Sequence, residues 1–192
     1  MKWIIFDYGN VLSLAQPDAE VDAMAAAAGA DPAAFRQGYW KHRLDFDRGT
    51  LTACAYWSAV LGREVPAEEA ARLVAMDVAS WSHPDEDAVA LLGELLAAGR
   101  GVALLSNAPA ETSDGIDLLP WIAAIPHRFY SARMSMLKPD REIFDEVARV
   151  LGADPAEAVF VDDRPDNVAG AEAAGMTGVL YTGAADLRRR LA

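Results

Sequence analysis

Apolar residues along this chain fall into two alternating patterns: short unbroken runs of strand length, and longer segments with apolar positions three and four residues apart. The first run, Trp3-Ile4-Ile5-Phe6, stops at Asp7 and a Gly9-Asn10 turn pair, which predicts a buried strand that delivers Asp7 at its carboxyl end. Residues 17–76 contain no strand-like run. They are alanine-rich helical segments broken at Gly29-Ala30-Asp31-Pro32, at Asp47-Arg48-Gly49-Thr50 and between Gly62 and Pro66. About four short helices are expected there, with Asp31 and either Thr50 or Thr52 as N-caps.

Beyond Pro84, helix and strand alternate. A helix over residues 84–98 leads to a strand over 101–105 that ends at Ser106-Asn107. A helical or irregular stretch over 116–124, a strand over 128–130 and a segment over 134–137 lead to Lys138-Pro139, with Pro139 at a helix start, where its missing amide hydrogen is not needed. Ile143, Phe144, Val147, Val150 and Leu151 form the apolar stripe of a helix over 141–151, stopped by Gly152. A strand over 158–161 ends at Asp162-Asp163, and a helix over 167–174, a last strand over 178–181 and an arginine-rich helix over 186–191 complete the chain. Strands separated by helices predict an α/β fold with a parallel sheet, and the segment after the first strand reads as an insertion.

At 192 residues the chain is long enough for one full domain with a modest insertion. Its 53% hydrophobic and 24% charged residues describe a globular protein and exclude intrinsic disorder. The net charge of −12 would repel nucleic-acid backbones and anionic lipid, so neither is expected as a partner, and a small molecule is. The single cysteine, Cys54, can form no intrachain disulfide and no zinc cluster, and it reads as a small buried hydrophobe. His42, His83 and His127 share no metal-ligand spacing. The first apolar run is too short for a signal peptide or membrane span, so a cytoplasmic location is expected; oligomeric state is left open.

The polar residues at the strand ends carry the candidate chemistry. In a parallel sheet the carboxyl ends of the strands share one edge, so Asp7, Ser106, Lys138 and Asp162 can converge although 99, 32 and 24 positions separate them in turn. Carboxylates held within about 4 Å repel by about 4 kcal/mol per pair at an effective dielectric of about 20. A cation is therefore required. Hard oxygen ligands without histidine or cysteine suit magnesium, which combines a few carboxylates with waters and a substrate phosphate. Lys138 adds positive charge, and the Ser106 hydroxyl with free amides at the following helix start offers donors to phosphate oxygens.

The segments Phe6-Asp7-Tyr8-Gly9-Asn10-Val11, Leu105-Ser106-Asn107, Lys138-Pro139 and Val161-Asp162-Asp163-Arg164-Pro165-Asp166-Asn167 resemble, in order, the four motifs of the haloacid dehalogenase superfamily. The resemblance spans nearly the whole chain, and the Gly9-Asn10 variant is similar to the bacterial glucose-1-phosphate phosphatase-like branch. It implies a Rossmann-like three-layer parallel-sheet core of residues 1–14 and 80–192, with a small helical cap of residues 15–79 inserted after the first strand. It also implies that Asp7 is the nucleophile, that Ser106 binds phosphate, that Lys138 stabilises charge, and that Asp163 with Asp162 holds Mg2+ beside Asp7 and the carbonyl of Gly9. Asn107, Gly9 and Asn10 next to these positions, and Arg43 from the cap, are the further candidate substrate contacts.

One position departs from the pattern. Most phosphatases of the family carry a second aspartate two residues after the nucleophile, which protonates the leaving group; Gly9 stands there. A lost general acid is worth about 10²- to 10⁴-fold in rate and leaves nucleophile and metal intact. In the insertion, Tyr39, Trp40, Arg43, Tyr56 and Trp57 read as packing between helices, while Arg43, Asp45, Asp47 and Arg48 are candidates for substrate contact. Asp166 reads as a helix cap, and Asn167 is open between cap and site. The expected activity is a magnesium-dependent phosphatase for a small phosphorylated metabolite, a sugar phosphate among the candidates. The alternatives are a hydrolytic haloacid dehalogenase, which needs no metal and so leaves Asp162-Asp163 unexplained, and a non-catalytic phosphate-binding protein, which leaves Asp7 and Lys138 unexplained.

Overall fold

The computed structural model describes residues 3–191 and turns the apolar runs into five strands: β1 (Trp3–Phe6), β2 (Gly101–Ser106), β3 (His127–Tyr130), β4 (Ala158–Asp162) and β5 (Thr177–Leu180). They form one sheet in the order β3-β2-β1-β4-β5, and every neighbouring pair is parallel. The chain steps outward from β1 to β2 and β3, then crosses to β4 and β5 on the other side. The strand order reverses beside β1, and the crevice at that switch point is where open α/β sheets bind ligands.

The insertion contains five helices, α1 (Asp18–Ala27), α2 (Pro32–Lys41), α3 (Arg43–Asp47), α4 (Ala53–Leu61) and α5 (Ala67–Ser80), one more than the pattern suggests. His42, with φ −106° and ψ 0°, interrupts what reads as one helical run and separates α2 from α3. Asp31 and Thr52 cap α2 and α4 through the amides of Ala34 and Ala55. Helix α5 runs four residues past Met76 because its polar end is buried rather than solvated: Asp77 and Ser80 are enclosed, and the Ser80 hydroxyl donates to the Asp77 carbonyl. These helices have their own hydrophobic core, around Met24, Phe35, Phe46, Tyr56, Trp57 and Leu73.

The remaining helices cover both faces of the sheet: α6 (Glu86–Ala97), α7 (Ala110–Asp117), α8 (Pro120–Ala123), α9 (Ser131–Met134), α10 (Arg141–Leu151), α11 (Pro165–Ala173) and α12 (Ala184–Leu191). Ile4 and Phe6 of β1 pack with α6, α7, α8 and α12, whereas Ile5 packs with α10 and α11. Alternate residues of one strand thus enter two different cores, which is why the strands read as continuous apolar runs. The result is the Rossmann-like three-layer α/β fold.

Local departures from the pattern have local causes. Helix α7 begins at Ala110, ahead of the stretch read as helical, because its buried Thr112 and Ser113 find acceptors for their hydroxyls in the Asp77 carboxylate of α5 and the Pro109 carbonyl. Pro139 is not the first helical residue: the Lys138–Pro139 peptide is cis and α10 starts at Arg141. Val150 is half exposed, and Ala148 joins the buried stripe of α10 instead. Asp166 lies exposed in the first turn of α11 behind Pro165, near the positive end of the dipole, and does not cap it. Among the described residues, no helix is long and apolar enough to cross a membrane.

Candidate active site

Asp7 continues the β1 ladder by one residue, its amide donating to the Val161 carbonyl at 2.8 Å, so its side chain leaves the sheet at the switch point. The Asp7 Oδ1 atom accepts from the Tyr8 amide at 2.7 Å and lies 2.6 Å from Lys138 Nζ. Lys138 reaches this point from the segment before α10 and is almost fully buried. Its ammonium also meets Asp162 Oδ2 at 2.7 Å and donates to the Leu105 carbonyl at 3.1 Å. An ammonium has three donors, and these contacts use all of them. Lys138 therefore neutralises and orients Asp7 and has no remaining proton to direct at a phosphate oxygen.

Asp162 is equally committed. Oδ1 accepts from the Arg164 amide at 2.8 Å and from Asn167 Nδ2 at 3.0 Å, and Oδ2 accepts from Lys138 and from the same Asn167 amide at 3.0 Å. Asn167 is thus part of the site, holding the carboxylate that holds Lys138. Asn107 acts in a similar way on the backbone. Its side chain donates to the Lys138 carbonyl at 3.0 Å and accepts from the Lys138 amide at 2.9 Å, pinning the segment from which the ammonium extends. Both amides stand within the motif segments, Asn107 as a candidate substrate contact and Asn167 as open between cap and site, but what they hold depends on where Lys138 arrives.

Charge in this cluster is unbalanced. Burial, partly offset by Lys138 and reinforced by Asp162, pushes Asp7 up to about 7. Asp163, half-buried, is also raised, by burial and then by Asp162. Lys138 is held above its usual range because the attraction of Asp7 and Asp162 outweighs its desolvation. Asp7, Asp162 and Asp163 each offer a ligand oxygen within 4.8 Å of the others. Such a hard-oxygen cluster with excess negative charge fits a divalent cation of the magnesium type. Asp7 and Asp163 are its more open members, since Asp162 is fully buried and both of its oxygens are already engaged. Asn10, in the left-handed region at φ 57°, donates from Nδ2 to Asp163 Oδ2 at 3.1 Å and sets that carboxylate in place.

Asp7, Gly9, Asn10, Ser106, Asn107, Lys138 and Asp163 all line one cavity of about 330 Å3 between the sheet edge and the insertion. A Cβ at Gly9 would lie 3.2 Å from Cζ3 of Trp81, so the indole ring occupies the space into which a side chain here would project. The absent second aspartate thus has a steric counterpart, and no sequence signal linked the two positions. Gly9→Asp is expected to lower stability by about 1–3 kcal/mol through overpacking, and not to raise activity. Urea unfolding midpoints and phosphate release, measured together, check this; faster turnover at an unchanged midpoint would show that the ring yields freely.

Arg43, expected as a substrate contact, lines the same cavity but is buried and paired. Its Nε donates to Asp47 Oδ1 at 2.7 Å, one terminal nitrogen lies 3.2 Å from Asp77 Oδ2, and the same nitrogen donates to the Tyr39 hydroxyl. Tyr39 donates to Asp77 Oδ1 at 2.6 Å and accepts from Trp81 Nε1 at 3.1 Å. Thr112 of α7 donates to Asp77 at 3.3 Å, and the Ser131 hydroxyl donates to the Asp47 carbonyl, so the network ties the insertion to the core. Burial pushes Asp47 up to about 6 although Arg43 pulls it down. Asp45 is exposed and does not line the cavity, and Arg48 lies 3.5 Å from Asp140 at a neighbouring cleft. Tyr39, Tyr56 and Trp57 are core residues as expected and Cys54 packs partly buried beside them, but Trp40 is 59% exposed at the cavity wall. Sequence reasoning missed Asp77, Thr112 and Trp81, because a polar residue in an amphipathic helix reads as solvated until its neighbours are known.

The model of the haloacid dehalogenase-like hydrolases matches residues 1–175. Among curated proteins, a sesquiterpene phosphatase of Aspergillus oryzae is 35% identical over 106 residues, 52% of this chain and 51% of that protein. The chloroplast flavin mononucleotide hydrolase 1 of Arabidopsis thaliana is 37% identical over 75 residues, 39% and 31% of the two chains. The match thus spans about half the length of the first relative and about a third of the second. Among solved structures, a HAD family enzyme from Bacteroides thetaiotaomicron superposes with a TM-score of 0.78 at 19% identity, covering 100% of this chain and 98% of that one. The same wild-type enzyme in complex with magnesium and inorganic phosphate gives 0.71 at 21% identity over 92% of each chain. The L-2-haloacid dehalogenase of Xanthobacter autotrophicus with chloropropionic acid covalently bound gives 0.71 at 22% identity, over 100% of this chain and 82% of that one.

Proposed function

The chain belongs to the haloacid dehalogenase-like hydrolases, and we propose that it is a magnesium-dependent phosphatase of a small phosphorylated metabolite with Asp7 as its nucleophile. The observation that carries this reading is the excess of carboxylate over ammonium at the cavity floor: Asp7 and Asp163 face the space that Lys138, with all its donors engaged, leaves unneutralised. A dehalogenase that attacks carbon needs no metal, so it would leave the charge of Asp7 and Asp163 without a counter-ion. The curated relatives, named a phosphatase and a flavin mononucleotide hydrolase, and the neighbour that binds magnesium and inorganic phosphate support phosphate chemistry, while the dehalogenase is similar in fold.

Asp7, the Gly9 carbonyl and Asp163 would hold the magnesium, with Asp162 behind them. When bound, the ion supplies the positive charge that a phosphate dianion needs in order to approach a carboxylate. Asp7 Oδ1 is fixed by Tyr8 and Lys138, which leaves Oδ2 to attack phosphorus. The new bond is Asp7 Oδ2 to phosphorus and the broken bond is phosphorus to the ester oxygen. Water then attacks phosphorus, which releases inorganic phosphate and restores the carboxylate. The Ser106 hydroxyl binds the phosphoryl oxygens. With Gly9 in place of an acid, the departing oxygen leaves with more of its negative charge, so good leaving groups are favoured.

Phosphate release from an aryl phosphate is expected to fall to the uncatalysed background in excess EDTA and to return when magnesium is restored. Release that continues unchanged in the chelator would overturn the metal assignment.

A further inference from the structure

We propose that the wall of the cavity opposite Asp7 is a site for an uncharged, apolar leaving group, so that the substrates are phosphate monoesters of hydrophobic alcohols or phenols. The inference rests on the phosphatase reading and narrows its substrate class. The cavity is divided in character. The strand ends line it with Asp7, Asn10, Ser106, Asn107, Lys138 and Asp163, and the insertion and the helices around it contribute Trp40, Leu44, Trp81 and Ile116. Trp40 and Leu44, four residues apart across the α2–α3 junction, are each 59% exposed, although the helices that carry them bury Phe35, Tyr39 and Phe46. Large hydrophobes left uncovered beside a reaction centre mark a surface that a ligand covers.

The polar groups of this wall are already spent. The Tyr8 hydroxyl donates to the Trp81 carbonyl at 2.7 Å, Trp81 Nε1 donates to Tyr39, and the Thr112 hydroxyl donates to Asp77. Arg43 is bound to Asp47, Asp77 and Tyr39. A sugar ring would bring several hydroxyls to a wall with few free donors, and each unpaired hydroxyl would be desolvated without return. A second phosphate or a carboxylate on the leaving group fares worse. Arg43 is already neutralised by Asp47 and Asp77, and the cavity's other arginine, Arg164, follows directly on the Asp162-Asp163 strand end, so the insertion side offers an anion no free positive charge. An apolar group meets neither penalty, and it gains area against two indole rings and two aliphatic side chains. The glucose-1-phosphate resemblance of the Gly9-Asn10 segment therefore describes the phosphate end of the site and not the end that selects the alcohol.

The test is a series of n-alkyl phosphates from ethyl to octyl, with glucose 6-phosphate as the polar counterpart, hydrolysed by the full chain with saturating magnesium. These are all esters of primary alcohols, so leaving-group ability is nearly constant and the slope reads the wall. The expected result is a rise in kcat/KM of about threefold to fourfold per added methylene until the cavity is filled, with glucose 6-phosphate about tenfold or more below hexyl phosphate. Trp40→Ala and Leu44→Ala, at exposed positions where folding tolerates truncation, are expected to flatten that slope through KM. A slope that is flat or falling while the esters are hydrolysed, a sugar phosphate that outruns hexyl phosphate, or a slope untouched by both variants would overturn the apolar site and leave the phosphatase reading standing. Failure of every ester, p-nitrophenyl phosphate included, would instead overturn the phosphatase reading and this inference with it.

Discussion

Asp7→Asn is expected to fold as the parent does and to release phosphate at least about 10³-fold more slowly. The amide is nearly isosteric with the carboxylate, and its oxygen can still accept from Tyr8 and Lys138, the two groups that fix Asp7 Oδ1. What disappears is the negative charge on the group that attacks phosphorus. The folded state has little to lose by the change. Burial disfavours the charged form of Asp7 and pushes it up to about 7, so a neutral group there relieves desolvation. Lys138 retains Asp162 as a partner. Thermal unfolding within a few degrees of the parent, together with a collapsed rate, is the expected pair of observations. Appreciable turnover by a well-folded Asp7→Asn variant would place the nucleophile elsewhere.

The largest expected effect on stability belongs to Lys138. Lys138→Met preserves most of the stem's volume but removes the one ammonium that meets both Asp7 and Asp162, and all these groups are buried. Breaking a buried ion pair by deleting one partner costs about 3–5 kcal/mol, because the remaining charge is left without compensation. The loss is expected in the urea midpoint at neutral pH, with catalysis abolished as well, since Asp7 loses the contact that orients it. Adding Asp162→Asn to the variant should recover part of the stability and none of the activity, as removal of the second carboxylate relieves the imbalance without restoring the orienting contact. A Lys138→Met midpoint within about 0.5 kcal/mol of the parent, the size of an ordinary surface substitution, would show that the cluster does not depend on this charge.

These two residues illustrate what was legible in the chain and what was not. Asp7 and Asp162 stand out because each ends an apolar run, and a polar residue that terminates a buried strand is a local feature. The same locality made the cap Asp31 readable and narrowed the next to Thr50 or Thr52, of which the structure uses Thr52, since an N-cap oxygen reaches an amide only three residues on. It also made the α/β alternation readable, and with it the expectation that the strand ends meet. The parallel order of the sheet then brings Asp7, Ser106, Lys138 and Asp163 to one cavity.

The wall of that cavity was not legible, and the reason is physical. Arg43 and Asp77 are 34 residues apart, and nothing in the composition around either one says that the two charges cancel. Trp40 and Trp57 are both tryptophans on helices of the insertion, yet one is 59% exposed at the cavity and the other fully buried, because the direction of a helix face is set by the helices that pack against it. Trp81 closes over Gly9 from the end of a helix whose pattern appeared to stop sooner. By itself the sequence determined the alternation of strands and helices, the helical insertion after the first strand and which candidate groups stand at the strand ends, since periodicity, capping and turn chemistry act within a few residues. The tertiary structure decided which charges are spent on one another, which hydrophobes stay uncovered and what shape is left for a substrate, since those are properties of neighbours that the chain brings together only when it folds.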